Sequence, residues 1–145
     1  DGQVHKTYWA ITKNAPPAEE GVLTHWLVRN ERQNKSYAHP QEVPNAKKAV
    51  LKYRVIAHSD RYHLIEVNLL TGRHHQIRCQ LANMGCAIKG DLKYGAPRSN
   101  PDGSISLLAR RITFVHPVSK ENIVVEAPLP PNDKLWEALA SAVIP

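Results

Sequence analysis

This chain lacks several features that would assign it at once to a common class of protein. No apolar run approaches the length needed to cross a membrane, and residues 1–20 contain charged side chains where a signal peptide would have an apolar core. Two cysteines in 145 residues are too few for a disulfide framework. We therefore expect a soluble protein of a reducing compartment. The cytoplasm is the natural one, or an organelle if a targeting segment precedes Asp1.

Groups that bind metals are also sparse. His75 and Cys79 are four positions apart and could share one face of a helix. A structural zinc site usually takes four N or S ligands at short recurrent spacings, and the chain offers no second Cys or His pair of that kind. Clustered carboxylates, which a metal-dependent nuclease would need, are missing as well. We expect neither a metal nor a cofactor.

What the sequence does contain is an excess of positive charge. Its 19 Lys and Arg residues and 13 Asp and Glu residues give a net charge of +6 and a pI near 9.5. Such an excess is typical of domains that bind phosphate backbones, although it also occurs in basic proteins without such a partner. Several of the basic residues could form one strip in the middle third of the chain: Arg29, Arg32, Lys35, Lys47, Lys48, Lys52 and Arg54.

The hydrophobic pattern predicts one α+β unit over residues 1–145, with a mixed, mainly antiparallel sheet flanked by short helices. A chain of this length can bury one core. Runs of β type predict strands at 6–11, 22–29, 36–38, 50–57, 62–70, 105–115 and 122–126, with the fourth and fifth forming a hairpin. A last helix is predicted over 133–143, with Leu135 and Leu139 facing inward.

The segment 66–95 contains the most chemistry. Its strand ends at Thr71 and Gly72, and a helix is predicted from His74 onward, because the apolar stripe of Ile77, Leu81 and Met84 has helical spacing and ends at Gly85. Arg78 flanks this stripe, so its guanidinium is drawn partly into the interior. A buried guanidinium requires a carboxylate or a phosphate, whereas a snorkelling arginine keeps its head in water. The helical pattern alone leaves both possibilities open.

A longer motif runs through the same segment. It reads Leu70-Thr71-Gly72-Arg73-His74-His75-Gln76-Ile77-Arg78, then Gln80-Leu81, Gly85, Ile88, Gly90-Asp91 and Tyr94-Gly95. In order and spacing it resembles the carboxyl-terminal signature of the RluA-like pseudouridine synthases. The resemblance extends to Lys6-Thr7-Tyr8-Trp9-Ala10, to Leu107-Leu108-Ala109 with Phe114-x-His116-Pro117, and to Glu126-Ala127-Pro128. It implies the carboxyl-terminal half of that family's catalytic fold.

The resemblance also implies a reaction and roles for single residues. Family members isomerise uridine in ribosomal or transfer RNA without a cofactor, through a covalent adduct with an aspartate. The catalytic pair carried over to this chain is Tyr8, which would lie over the uracil and assist proton removal, and Arg78, which would ion-pair with the aspartate. Substrate contacts would come from five further residues: Arg73, His75, Gln76, Leu107 and Leu108. Either leucine could lie beneath the base, and Arg73 is expected on the RNA backbone or on its own loop.

The family's nucleophile motif, Arg-Leu-Asp followed by Thr-Ser-Gly, does not occur in the chain. Asp91 lies in a Gly-Asp turn, where an aspartate usually caps backbone N–H groups. We therefore expect the nucleophile upstream of Asp1, in the amino-terminal part of the same catalytic domain, and an inactive chain on its own. The alternative is a non-catalytic RNA-binding module with the same fold. No membrane partner is expected.

Overall fold

The computed structural model describes residues 4–143 and confirms an α+β architecture with one antiparallel sheet. The strands, in chain order, are β1 (Val4–Thr12), β2 (Glu20–Asn30), β3 (Lys35–His39), β4 (Lys47–His58), β5 (His63–Leu69), β6 (Leu107–Val115) and β7 (Asn122–Glu126). Two helices, α1 (Gln76–Asn83) and α2 (Lys134–Ser141), complete it with a short 3-10 turn, Leu92–Tyr94. Each predicted strand is found, with its ends moved by a few residues at most.

The sheet order is β3-β2-β4-β5-β1-β6-β7, so the first strand lies inside the sheet. β1 pairs with β5, with Thr7 opposite Asn68, and with β6 on its other side. Because both pairings are antiparallel, the amino-terminal end of β1 lies at the same end of the sheet as the last residues of β5. The first described residues of β1 therefore lie near the turn that follows Leu69.

Each face of the sheet is covered by one helix. On the first face, Ile77 and Leu81 of α1 pack against strand residues such as Leu51, Ile65 and Val67. On the other face, Trp136 and Leu139 of α2 pack against a second set: Trp9, Ile11, Ala57 and Leu64. Period-2 alternation sends neighbouring residues of β1 to opposite cores. A strand flanked by two cores must therefore be apolar on both sides, as residues 8–11 are.

The ends of α1 follow from local geometry. His75 takes a left-handed conformation, with φ of 54°, immediately before the helix, so α1 begins two residues later than the predicted start at His74. Gly85, with φ of 87°, lies just beyond the helix and allows the chain to reverse, as the sequence predicts. The chain then returns to β1 through a bridge between Ile88 and Thr12. The hydrophobic pattern gave no sign of that bridge or of the 3-10 turn.

β7 is an edge strand with two exposed apolar side chains, Val124 and Val125. Over residues 4–143, neither helix has the length or the apolar character that crossing a membrane requires.

Gly90 and Gly85 provide a matched test of the return segment. Both have φ near 88°, which costs an L-residue about 1–2 kcal/mol. A Cβ at Gly90 would lie 2.7 Å from the Asn100 side chain and 2.8 Å from the Ser104 carbonyl oxygen, whereas at Gly85 nothing lies within 4 Å. We predict that Gly90→Ala lowers the free energy of unfolding by a further ~1–3 kcal/mol beyond Gly85→Ala. Equal losses in urea denaturation of the two variants would contradict this close packing.

Candidate functional site

Tyr8 lies at an irregularity in the sheet. Thr7 pairs with Arg111 and Tyr8 with Ala109, so Arg110 is an extra residue that makes a β-bulge opposite the Thr7-Tyr8 step. Bulges turn side chains away from the regular pleat and are common beside active sites. Tyr8 is half-buried and packs on the α1 face of the sheet. Tyr8, which the family resemblance assigns to contact with the uracil, thus lies beside a β-bulge.

The two leucine candidates lie on opposite faces. Leu107 packs in the same cluster as Tyr8, whereas Leu108 packs in the cluster beneath α2. Ala109 is directly opposite Tyr8, and Leu107 is opposite Ala10, its neighbour on the same face. A base held against Tyr8 can therefore contact Leu107 and cannot reach Leu108. The packing therefore favours Leu107 over Leu108, and the assignment of a leucine to substrate binding stays a prediction.

Gln76 holds the turn between β5 and α1. It is 2 % exposed, and its Oε1 accepts hydrogen bonds from the Thr71 hydroxyl at 2.8 Å and from the Arg73 backbone N–H at 3.0 Å. Its Nε2 donates to the Val50 carbonyl oxygen at 3.1 Å. Since a buried amide must satisfy both its donor and its acceptor, this residue is committed to the turn. The contacts give Gln76 a structural role, and its predicted contact with substrate stays a prediction.

Arg73 projects from that turn. Its Nε donates to the Lys48 carbonyl oxygen at 2.8 Å and the side chain is exposed. Arg29 and Lys47 join it around a cavity of about 270 Å³. Lys52 and Arg54 alternate with Leu51 and Tyr53 and so face away from α1. The predicted basic strip is therefore divided between two faces of the sheet.

Arg78 has its carboxylate partner inside the chain. Its Nε and one terminal nitrogen each donate to an Asp91 carboxylate oxygen at 2.8 Å, a two-point contact, and Asp91 is 1 % exposed. The expectation that the arginine's partner lies outside the chain is wrong, and so is the interpretation of Asp91 as a backbone cap, since its side chain caps nothing at the 3-10 turn. The pKa of Arg78 is raised, chiefly by the hydrogen bond to Asp91. The catalytic role assigned to Arg78 stays a prediction.

His75 extends the ion pair into a chain of hydrogen bonds. Its Nε2 lies 3.2 Å from the remaining nitrogen of Arg78, and its Nδ1 lies 2.9 Å from the Tyr94 hydroxyl, which accepts from the Ser36 backbone N–H at 2.8 Å. Arginine can only donate, so Nε2 must accept and the ring is neutral with its proton on Nδ1. Desolvation, followed by the Arg78 charge, lowers the pKa of His75 to about 4. These contacts join the start of α1 to β3 and to the 3-10 turn.

The site residues thus form three groups. Tyr8 and Leu107 share one patch of the sheet, Arg73 and Gln76 belong to the turn at its end, and His75 joins Arg78 in the ion-pair network. Among the contacts described for residues 4–143, none links Arg78 to Tyr8. Asp91 is the residue of this network that sequence reasoning missed, although a carboxylate or phosphate partner for Arg78 was one of the two possibilities that the helical pattern left open.

The cysteines are buried and free. The Cys79 thiol donates to the Ser36 carbonyl oxygen, and burial raises its pKa to about 11, so it is protonated at neutral pH and a poor metal ligand. Within the part of the chain that the structure describes, no three His, Cys, Asp or Glu side chains are grouped to hold a metal ion.

Comparison with known proteins bears on the same residues. Residues 1–83 match a family model described as RNA pseudouridylate synthase. An uncharacterized RNA pseudouridine synthase of Chlorobaculum parvum is 33% identical over 150 residues, covering 92% of this chain and 46% of that protein. The uncharacterized RNA pseudouridine synthase YhcT of Bacillus subtilis is 34% identical over 134 residues, with shares of 89% and 42%. The chain thus spans less than half the length of these two curated relatives.

Solved structures show the same fold. Human RNA Pseudouridylate Synthase Domain Containing 4 superposes with a TM-score of 0.73 at 25% identity, over 88% of this chain and 59% of that one. Human RNA Pseudouridylate Synthase Domain Containing 1 gives a TM-score of 0.69 at 23% identity, over 99% and 68%.

The buried ion pair makes a stability prediction. Asp91→Asn leaves the Arg78 guanidinium without a charged partner, so we expect the free energy of unfolding to fall by about 3 kcal/mol. Asp60→Asn changes an exposed carboxylate in the same way and should cost less than about 0.5 kcal/mol. Chemical denaturation measures both, and similar losses would show that the pair contributes little.

His75 makes a prediction about pH. Its folded pKa of about 4 lies below the ordinary value of 6.5, so the unfolded chain binds the extra proton more readily. The stability linked to His75 is complete above pH 6.5 and is lost as the pH falls towards 4. We expect His75→Gln to flatten the pH dependence of the unfolding free energy in that window, because the variant has no ring to protonate. Identical pH slopes for the two proteins would contradict this assignment.

Proposed function

Because this chain belongs to the RNA pseudouridylate synthase family, we propose that it is the carboxyl-terminal part of a catalytic domain that isomerises uridine to pseudouridine in ribosomal or transfer RNA. The observation that carries the proposal is the position of Tyr8 and Leu107. They share a half-buried patch of the sheet, and a bulge adjusts the backbone at Tyr8. The longer enzyme would supply the nucleophilic aspartate from the segment that precedes β1.

The reaction that the family resemblance implies breaks the bond between uracil N1 and the ribose and forms a bond from the ribose to uracil C5. The aspartate carboxylate forms a covalent adduct during the exchange and is released again, the proton on C5 is lost, and N1 takes up a proton, so that the product is an isomer of the substrate. The target base must leave its stack to be reached. In our proposal its ring then lies between Tyr8 and Leu107, where an aromatic ring and an aliphatic side chain provide apolar contact.

Tyr8 would also assist the removal of the C5 proton. Its hydroxyl can accept a proton when deprotonated, or position a water that does so, while its ring stacks on the uracil. Leu107 then provides the surface against which the base turns. Neither step needs a metal or a redox cofactor.

The aspartate needs a cation to hold it ionised, and two arginines are candidates. All three guanidinium nitrogens of Arg78 already have partners. Its Nε and one terminal nitrogen bind Asp91, and the other terminal nitrogen lies against His75. Arg73 uses only its Nε, on the Lys48 carbonyl oxygen, and its two terminal nitrogens have no described hydrogen bond. An incoming carboxylate can therefore pair with Arg73 without breaking a contact, whereas pairing with Arg78 would uncover the buried Asp91. The contacts favour Arg73 as the partner and Arg78 as the residue that fixes the turn.

The direction of the chain supports the same choice. The turn that holds Arg73 follows β5, and the amino-terminal end of β1 lies at that end of the sheet. A segment entering β1 from upstream passes this turn. Arg29 and Lys47, which line the small cavity beside Arg73, add positive charge for the phosphates next to the target nucleotide.

The alternative is a non-catalytic RNA-binding protein with the same fold. The two differ in a simple way, because only the enzyme needs an aspartate in an Arg-Leu-Asp context upstream of Tyr8. If the longer gene lacks that motif, the enzyme proposal fails.

Release of tritium from 5-tritiated uridine in RNA tests the assignments in the longer enzyme. We predict that Arg73→Ala abolishes release without loss of thermal stability, and that Tyr8→Phe slows it by about a hundredfold or more. Arg78→Ala should lower both thermal stability and release, because the turn loses its anchor. Near-normal release by Arg73→Ala would overturn its pairing with the nucleophile, and Arg78→Ala with full stability but no release would return that role to Arg78.

A further inference from the structure

A second cavity lies at the end of the sheet opposite to Arg73. Its volume is about 870 Å³, and it opens between the carboxyl-terminal end of β1, the tip of the β4–β5 hairpin and the loop after the 3-10 turn. Four cations line it: Lys13, Arg61, Lys89 and Arg98. None of the described residues that line it carries a carboxylate. Gly85, Gly90, Tyr94 and Gly95 of the family motif contribute to its wall, but none of its four cations belongs to that motif, and the proposed reaction does not use them.

These four cations lack the carboxylate partners that several arginines of the structure have. Arg54, Arg78, Arg110 and Arg111 each form an ion pair with a carboxylate. Over residues 4–143, no ion pair is formed by any of the four cavity cations. Two carboxylates lie close by in sequence, Asp60 beside Arg61 and Asp102 near Arg98, but the oxygen of Asp102 is bound by Ser104. The lining nevertheless has an excess of positive charge, and a concave surface with such an excess concentrates the electrostatic potential and attracts anions.

Lys89 is held in place within this cavity. Its backbone N–H donates to the Ile11 carbonyl oxygen at 2.8 Å, and its carbonyl oxygen accepts from the Ser106 N–H at 2.9 Å. Its Nζ donates to the Asn100 Oδ1 at 2.6 Å, while the Asn100 Nδ2 donates to the Ser106 hydroxyl at 3.1 Å. Asn100 can lie so close only because Gly90 has no Cβ. The ammonium group is thus oriented in advance, which reduces the entropy lost when it binds an anion.

We infer that this cavity is a second RNA contact, which binds phosphates of a strand segment away from the target uridine. Lys89 provides the fixed cation. The RNA backbone around it is contacted by three exposed side chains, those of Lys13, Arg61 and Arg98. The size of the cavity suits several linked groups better than a single ion, and its cations come from three separate segments of the chain. The inference rests on the proposed function for the identity of the ligand as RNA. It assigns the far end of the sheet to holding the substrate, with no part in the chemistry.

Binding of a short oligouridylate by the longer enzyme, titrated over a series of KCl concentrations, tests this site. The slope of log K against log salt is negative, and each lost phosphate contact on a single strand reduces its magnitude by about 0.7. The double variant Arg61→Gln/Arg98→Gln should therefore reduce the magnitude of the slope by about 1.4, and Lys89→Gln alone by about 0.7. The matched control is Lys120→Gln/Lys134→Gln, which removes two exposed positive charges away from the cavity and should leave the slope unchanged.

Equal slopes for the cavity variant and the control would overturn the inference. Inorganic phosphate and polyglutamate serve as competitors. If either competes as strongly, per charge, as oligouridylate does, the inference is also overturned, since the site would then bind any anion. Tritium release is measured in parallel as a separate readout. If the cavity variants leave the salt slope unchanged in an enzyme that still releases tritium, only the second contact is refuted. Absence of release by the wild-type enzyme refutes only the proposed reaction.

Discussion

The ion pair between Arg78 and Asp91 is the interaction on which the candidate site depends. Asp91 is almost fully buried, so its charge is tolerated only because two guanidinium nitrogens face it at 2.8 Å. Burial and the same guanidinium keep His75 neutral, and His75 with Tyr94 reaches the backbone of β3. One pair therefore determines where α1 begins relative to the sheet edge. It also stabilises the left-handed backbone of His75, which a non-glycine residue adopts at some energetic cost.

This arrangement separates support from chemistry within one short motif. Gln76 and Arg78 turn their polar groups inward, to the turn and to Asp91, while Arg73 keeps most of its guanidinium free at the surface. A rigid turn makes a free cation more effective, because the position of its charge is fixed before a ligand arrives. The motif has many defined positions within a few residues because it contains both kinds of residue. A residue that fixes the turn needs a particular side chain, just as one that would touch the substrate does.

Much of the fold could be predicted from the sequence because its strands are regular. The alternation of apolar and polar residues in β1, β4 and β5 is a local property of the sequence. In the same way, Gly85 after the apolar stripe marks the end of α1 within a few residues. The partner of Arg78 could not be predicted in the same way. Asp91 lies 13 positions away, beyond a turn and a return strand segment, and nothing in the period of either element reveals the contact. Leu107 and Leu108 could not be distinguished for a related reason, since the register that places Ala109 opposite Tyr8 joins two strands far apart in sequence.

The place of β1 between β5 and β6 also has a consequence for synthesis of the chain. β2, β3 and β4 follow one another closely and can pair as soon as they are made, whereas β1 has no partner until β5 has been translated. During that interval Trp9 and Ile11 have no core to enter, and their strand has two open edges. Closing β1 between its neighbours joins residues far apart in sequence, which is the slow kind of step in folding. The strand that bears the candidate tyrosine is thus among the last to be secured, and a nascent chain halted before β5 would expose it to aggregation.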